Sequence, residues 1–181
     1  MQHDISAQLK SLIRTIPDFP KPGIQFRDIT TLLKDPGGLR ATTDAFAVHC
    51  AGRQVDVVAG IEARGFIVGA PLAHALGVGF VPIRKPGKLP GATIGLDYQL
   101  EYGSDRIELH EGAIVPGANV LLVDDLIATG GTALAAAALI EMAGGHIADW
   151  LFVIDLPELG GRRRLHDAGY SSFALCEFEG E

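Results

Sequence analysis

Cysteine is scarce in this chain. Its 181 residues hold two, Cys50 and Cys176, with neither the spacing of a metal site nor the number for a disulfide framework. Both read as reduced thiols of a cytoplasmic protein. Positive charge is also short: 15 Lys and Arg against 22 Asp and Glu leave a net charge of −7. That balance argues against nucleic acid as a partner. No apolar run approaches the roughly 18 residues that span a bilayer, so no membrane partner is expected. Residues 1–13 mix acidic, amide and basic side chains with apolar ones, as an amphipathic helix does and a signal peptide does not. The six histidines are scattered from His3 to His166, which leaves no metal-binding or catalytic His cluster. Nothing repeats, no segment is of low complexity, and no nucleophile elbow is present.

What is present is a chain of 48% hydrophobic residues with 23 glycines, the composition of an α/β protein with many strand-to-helix turns. The length fits one domain, residues 1–181, with a full core. Residues 5–16 carry Ile5, Leu9, Leu12, Ile13 and Ile16 at helical spacing, which predicts a helix. Residues 17–23 hold three prolines and must be irregular or extended. Further helices are expected over 38–52, from the turn at 62–65 to 76, over 133–143 and, briefly, over 161–167. Strands are expected over 56–61, 79–84, 120–125, 147–155 and 172–178. Residues 85–103 form a long Gly- and Pro-rich connection, part of which can be hairpin, and long loops of this kind are usually functional. The alternation implies a parallel sheet with helices on both faces. Ligands of such sheets bind at the carboxyl ends of the strands. Glu62-Ala63-Arg64, Arg84-Lys85, Asp124-Asp125 and Asp155 all follow strand ends, so they should gather on one edge.

The most informative stretch is Val120–Thr132, Val-Leu-Leu-Val-Asp-Asp-Leu-Ile-Ala-Thr-Gly-Gly-Thr. A buried strand runs into two acids, then into a small-residue turn before an Ala-rich helix. Backbone amides of Ala128, Thr129, Gly130, Gly131 and Thr132 can converge there, and the positive end of a helix dipole adds to them. The result suits a phosphate monoester, with hydroxyl donors from Thr129 and Thr132. Asp124 and Asp125 repel phosphate and suit a neighbouring polyol or a hydrated metal ion. Phosphate beside vicinal hydroxyls describes a ribose 5-phosphate. The P-loop lysine is missing here, and so is the Gly-x-Gly-x-x-Gly dinucleotide fingerprint. A helix cap alone would need one acid, not two.

Other constellations sit at the same edge. Arg64 and Gly65 can bind an anion with guanidinium and amides together. Arg84, Lys85 and Lys88 form a basic cluster that opens the long loop. Glu101, between aromatic and apolar neighbours, would have a raised pKa under a closed loop, as a general acid or base needs. Prolines stiffen residues 17–23, and Phe26 offers a flat face for a heterocycle.

The acid pair and the Thr-Gly-Gly-Thr loop resemble the 5-phosphoribosyl 1-diphosphate (PRPP) signature of the type I phosphoribosyltransferases. Residues 84–90 (Arg-Lys-Pro-Gly-Lys-Leu-Pro), 100–103 (Leu-Glu-Tyr-Gly) and 18–29 (Asp-Phe-Pro-Lys-Pro-Gly-Ile-Gln-Phe-Arg-Asp-Ile) narrow the likeness to the adenine-specific members. It runs from Asp18 to the closing strand. The resemblance implies the type I fold, a parallel sheet flanked by helices, with a small N-terminal hood over about 1–35 and a flexible catalytic loop over about 85–105. It implies transfer of phosphoribose from PRPP to adenine, giving AMP and pyrophosphate, in the cytoplasm, by a homodimer. Mg²⁺ would be held through PRPP and waters, with no direct protein ligand. Residues 128–132 would bind the 5-phosphate, and Asp124 and Asp125 the ribose. Glu62, Ala63, Arg64, Arg84, Lys85 and Lys88 would bind pyrophosphate, with a non-proline cis peptide at Glu62–Ala63 and Arg84 reaching the other subunit. Gln25, Phe26, Arg27 and Leu126 would bind adenine. The ring would lie between Phe26 and Leu126, its edge read by backbone at Gln25, while Arg27 bonds the ring face or the neighbouring loop. Gln25 departs from the family's usual aliphatic residue, which matters little where backbone does the reading. Glu101 and Arg64 would be catalytic.

Three other readings differ in what they require. A relative acting on hypoxanthine, xanthine or orotate would share the phosphate loop and differ in the hood and around Glu101. A PRPP-sensing regulator would need a basic face or a DNA-binding domain. A phosphoacceptor signalling domain would carry its acids near the N-terminus and have no use for Thr-Gly-Gly-Thr.

Overall fold

The apolar runs pair as predicted, side by side and parallel. In the computed structural model, which describes residues 2–99 and 103–180, β3 (Val57–Ile61), β4 (Gly79–Ile83), β7 (Asn119–Ile127), β8 (His146–Asp155) and β9 (Ser172–Glu177) form one sheet. Its order is β4-β3-β7-β8-β9, and every pair in it is parallel. The order places β7, the strand of the acid pair, at the centre. One face is covered by α1 (Gln2–Leu12), α2 (Thr30–Lys34), α3 (Pro36–His49) and α4 (Arg64–Leu76). These bury Leu9, Leu32, Phe46 and Leu72 against Val58, Leu121, Val123 and Leu151. The other face is covered by α5 (Gly131–Met142), α6 (Gly161–Asp167) and the antiparallel hairpin β5 (Thr93–Gln99) and β6 (Ser104–His110). Ala136, Leu139, Ile107, Leu109 and Leu165 pack there on Leu122, Trp150 and Phe152. The fold is therefore α/β with helices on both faces. No described helix is long and apolar enough to cross a membrane.

The hood segment departs most from the sequence reading. The helix expected over 5–16 ends at Leu12, and residues Arg14–Pro17 form β1, paired antiparallel with β2 (Gln25–Asp28). Ile16 thus faces Phe26 across a ladder instead of extending a helical stripe. Strand pairing overrides local periodicity here because Arg14 and Asp28 lock the end of the ladder: the guanidinium donates to Asp28 Oδ2 from Nη2 at 2.5 Å and from Nε at 3.2 Å. Asp28 Oδ1 also accepts from Thr30 N at 2.9 Å, opening α2. The helix expected from residue 38 begins at Pro36, because Asp35 caps it by accepting from Gly38 N and proline suits its first turn.

The bonds from Arg14 and then Thr30 hold the Asp28 carboxyl down from near 4 to about 2. Asp28→Asn should cost about 1–2 kcal/mol at neutral pH. A carboxyl with a lowered folded-state pKa stabilises fully above its unfolded value and loses that contribution as pH falls through the folded one. Urea midpoints of variant and parent should therefore differ at pH 7 and converge as pH drops toward 2. A gap that persists in acid would assign the loss to packing instead.

Candidate active site

The acid pair lies near the carboxyl end of β7, which runs on to Ile127. Leu126 pairs with Ile154 and Ile127 with Asp155, which carries the strand past both aspartates. Residues 128–130 then turn into α5. Gly130 has φ of +80° and is the N-cap of α5, and no side chain caps the helix. The first amides of α5 are thus left for a ligand. They open onto a cavity of about 250 Å³ lined by Glu62, Lys85, Asp124, Leu126, Phe152 and all of residues 128–132.

The second wall comes from the turn after β3. The Glu62–Ala63 peptide is cis, and α4 starts at Arg64 with no side-chain cap. Gly65 brings this helix start against β7: a Cβ there would stand 2.7 Å from the Val123 carbonyl oxygen and 3.2 Å from Asp124 Oδ1. Arg64 donates from Nε to Asp125 Oδ2. Its guanidinium carbon also lies 5.9 Å from the Phe26 ring centre, tying the hood to this turn.

These contacts divide the two aspartates. Asp125 is 4% exposed and held by Arg64. Asp124 lines the cavity and accepts from its neighbour's amide at 2.9 Å. Removal from water, and then the charge of Asp125, push the Asp124 carboxyl well above the usual carboxylate range. Burial also opposes the charge on Glu62, but the Lys85 amide at 2.9 Å and Arg84 at 3.0 Å outweigh it, so its pKa ends lowered. Glu62 therefore stands as a carboxylate that positions the basic cluster. Arg84 further donates to the Lys88 carbonyl at 3.1 Å. Lys85 pairs with Asp105, whose bond and charge overcome the effect of burial and leave the lysine pKa raised.

The base-binding candidates are placed separately. Gln25, Phe26 and Arg27 lie half-buried on β2. Phe26 packs edge-on to Phe19 at 5.2 Å and belongs to neither apolar cluster. The Arg27 side chain donates to Thr15 Oγ1 at 2.6 Å and to the Glu179 carbonyl at 2.7 Å, and lies over the Phe178 ring. It fastens the end of the chain to the hood. Glu101 lies outside the described residues.

Four residues at the site had no reading in the sequence. Gly161 N donates to the Ala128 carbonyl at 2.9 Å, and Arg164 Nη1 donates to the Thr129 carbonyl at 2.7 Å. Together they hold the loop 128–130 from behind. Asp105 holds Lys85, and Tyr98 Oη lies 3.3 Å from Thr132 Oγ1. Of these only Asp105 had a signal: on its strand β6, Ile107 and Leu109 alternate with polar residues, the mark of a half-buried strand.

Comparison with known proteins agrees with this geometry. The phosphoribosyl transferase domain model matches residues 29–172. The adenine phosphoribosyltransferase of Methylobacillus flagellatus is 66% identical over 171 residues, covering 94% of this chain and 97% of that one. A crystal structure of adenine phosphoribosyltransferase from Thermoanaerobacter pseudethanolicus superposes with a TM-score of 0.91 at 49% identity, over 95% of this chain and 99% of that one. The Saccharomyces cerevisiae enzyme, solved in complex with adenine and an imino-altritol bisphosphate, gives 0.90 at 41% identity, over 96% and 99%. With two uncapped helix starts and an acid pair at the end of the central strand, this chain belongs to the phosphoribosyltransferase family, on its adenine phosphoribosyltransferase branch.

Proposed function

We propose that the protein transfers the 5-phosphoribosyl group of PRPP to adenine, forming AMP and pyrophosphate, a purine-salvage reaction. The observation that carries this reading is the cavity in which the loop 128–132, Asp124, Glu62 and Lys85 meet. Loop amides, a carboxyl and a lysine of the basic cluster meet there, the groups that binding PRPP would need. The relatives' adenine-specific names support the choice of base.

In the transfer, the bond from the anomeric carbon to pyrophosphate oxygen breaks and a bond to a purine ring nitrogen forms. The ribose carries oxocarbenium character between the two. Asp124 accepts from the ribose hydroxyls and fixes the anomeric carbon, while Asp125, buried beside it, holds Arg64 instead of meeting the ribose. Arg64, Arg84, Lys85 and Lys88 meet the charge that grows on pyrophosphate. Phe26 and Leu126 flank the base, with Gln25 backbone on its edge, while the Arg27 side chain, bonded to Thr15 and the Glu179 carbonyl, holds the neighbouring segments. Glu101 takes the ring proton. Magnesium would come as a companion of the substrate, held through PRPP and waters, with the Asp124 carboxyl at the cavity wall placed to accept from those waters. It would neutralise the leaving group. A homodimer in the cytoplasm completes the reading, with Arg84 directed to the neighbouring subunit.

The test offers PRPP and Mg²⁺ with adenine, hypoxanthine, guanine, xanthine or orotate singly. AMP from adenine, and no nucleotide from the others, is the expected result. It should be lost in Glu101→Ala while PRPP still binds. Turnover of another base would overturn the hood assignment, and binding of PRPP without turnover of any base would favour a sensor.

A further inference from the structure

Tyr98 stands at the end of β5, outside every motif that the family likeness rests on. Its ring is half-buried against the apolar layer formed by α5 and the central sheet. Its hydroxyl lies 3.2 Å from Asp105 Oδ2 and 3.3 Å from Thr132 Oγ1. Asp105 in turn holds Lys85, and Lys85 and Thr132 both line the cavity. One phenol therefore touches the hydroxyl of the phosphate loop and the acid that holds a lysine of the pyrophosphate side.

Proton counting gives this contact a direction. An ionised carboxylate only accepts, whereas each hydroxyl has one proton to donate. As arranged here, Tyr98 can donate to Asp105 while Thr132 donates to Tyr98. A phosphate also only accepts. When it accepts a hydrogen bond from the Thr132 hydroxyl, the Thr132 oxygen is free to accept in turn, and the Tyr98 hydroxyl can rotate its hydrogen bond from Asp105 to Thr132. The chain then runs from Tyr98 through Thr132 to phosphate, and each donor in such a chain strengthens the next.

We propose that Tyr98 is a positioning residue that acts through Thr132, orienting and polarising its hydroxyl for the 5-phosphate. This rests on reading residues 128–132 as the phosphate site. The ligands that sense it are those with a 5-phosphate, namely PRPP, AMP and ribose 5-phosphate. Adenine should not sense it.

The test is a double-mutant cycle on ribose 5-phosphate affinity, with adenine KM measured alongside. Tyr98→Phe keeps the packed ring and removes only the hydroxyl. It should weaken ribose 5-phosphate about three- to tenfold, the size of one neutral hydrogen bond, and leave adenine KM unchanged. In a Thr132→Val background, Tyr98→Phe should have no further effect. Unchanged ribose 5-phosphate affinity in Tyr98→Phe, or the same loss with and without the Thr132 hydroxyl, would overturn the proposal. A parent protein that fails to bind ribose 5-phosphate would instead overturn the phosphate-site reading.

Discussion

Asp124→Asn should melt at a higher temperature than the parent and be at least a hundredfold less active. Both effects come from one carboxylate. Asp124 faces the cavity beside Asp125 and has its pKa pushed well up by burial and then by that neighbour. A folded chain that holds a proton more tightly than the unfolded chain loses stability as pH rises from near 4 through the raised pKa, and the penalty is complete above it. Asparagine carries no charge and can still accept from the Asp125 amide through its carbonyl oxygen. The gain should be absent near pH 4 and grow toward neutral pH, each kcal/mol recovered raising Tm by about 2–4 °C in a chain this long. The activity loss follows from the ribose. Hydrogen bonds to a charged acceptor are worth about 1.5–3 kcal/mol each, and two ribose hydroxyls lose theirs. Asp125→Asn should not share the gain, because it strips Arg64 of its partner. The measurement is a pair of melts, at pH 4 and pH 7.5, without substrate, together with kcat/KM for PRPP. An equal Tm shift at both pH values would show that the carboxylate charge is not the cause.

The contrast between Asp124 and Asp125 also shows how far the sequence could be read. Two acids at the end of an apolar run announce a polar ligand, and the Gly-Gly turn that follows names phosphate. Both inferences need only neighbours along the chain. Which acid faces the ligand and which faces Arg64 depends on a helix start brought in by Gly65, 59 positions upstream of Asp124 by residue number. The sheet was legible for the same reason as the loop, since apolar strands alternating with helices leave few topologies. The hood was not. Residues 5–16 have a true helical stripe, and only pairing with Gln25–Asp28, across a run of prolines, turns Arg14–Pro17 into a strand. Lys85 shows the same limit. Its place in a basic cluster suggested pyrophosphate, but its partner Asp105 lies on the far strand of a hairpin whose extent was unread.

Gly161→Ala should weaken AMP and ribose 5-phosphate by tenfold or more, although residue 161 supplies no group to the cavity. The loop proposed to bind phosphate rests on this glycine. A Cβ at Gly161 would stand 2.9 Å from Gly130 N, 2.7 Å from Ile127 Cγ1 and closer still to the Ala128 carbonyl oxygen. Two of these three neighbours are loop backbone, which cannot rotate aside as a side chain can. Alanine must therefore push the loop away or break the bond from Gly161 N to the Ala128 carbonyl. Overpacking of this kind costs about 1–3 kcal/mol of stability. Its larger effect is on geometry, because amides that converge on a phosphate must all keep their aim. Arg164→Ala is the graded comparison. It removes one exposed bond to the Thr129 carbonyl and adds no bulk, so it should cost only a few-fold in affinity and little stability. Titration calorimetry with AMP, with a melt of each variant, separates the two. If Gly161→Ala bound AMP as the parent does, the loop would be tolerating a displacement that its contacts forbid, and its support would have to come from α5 alone.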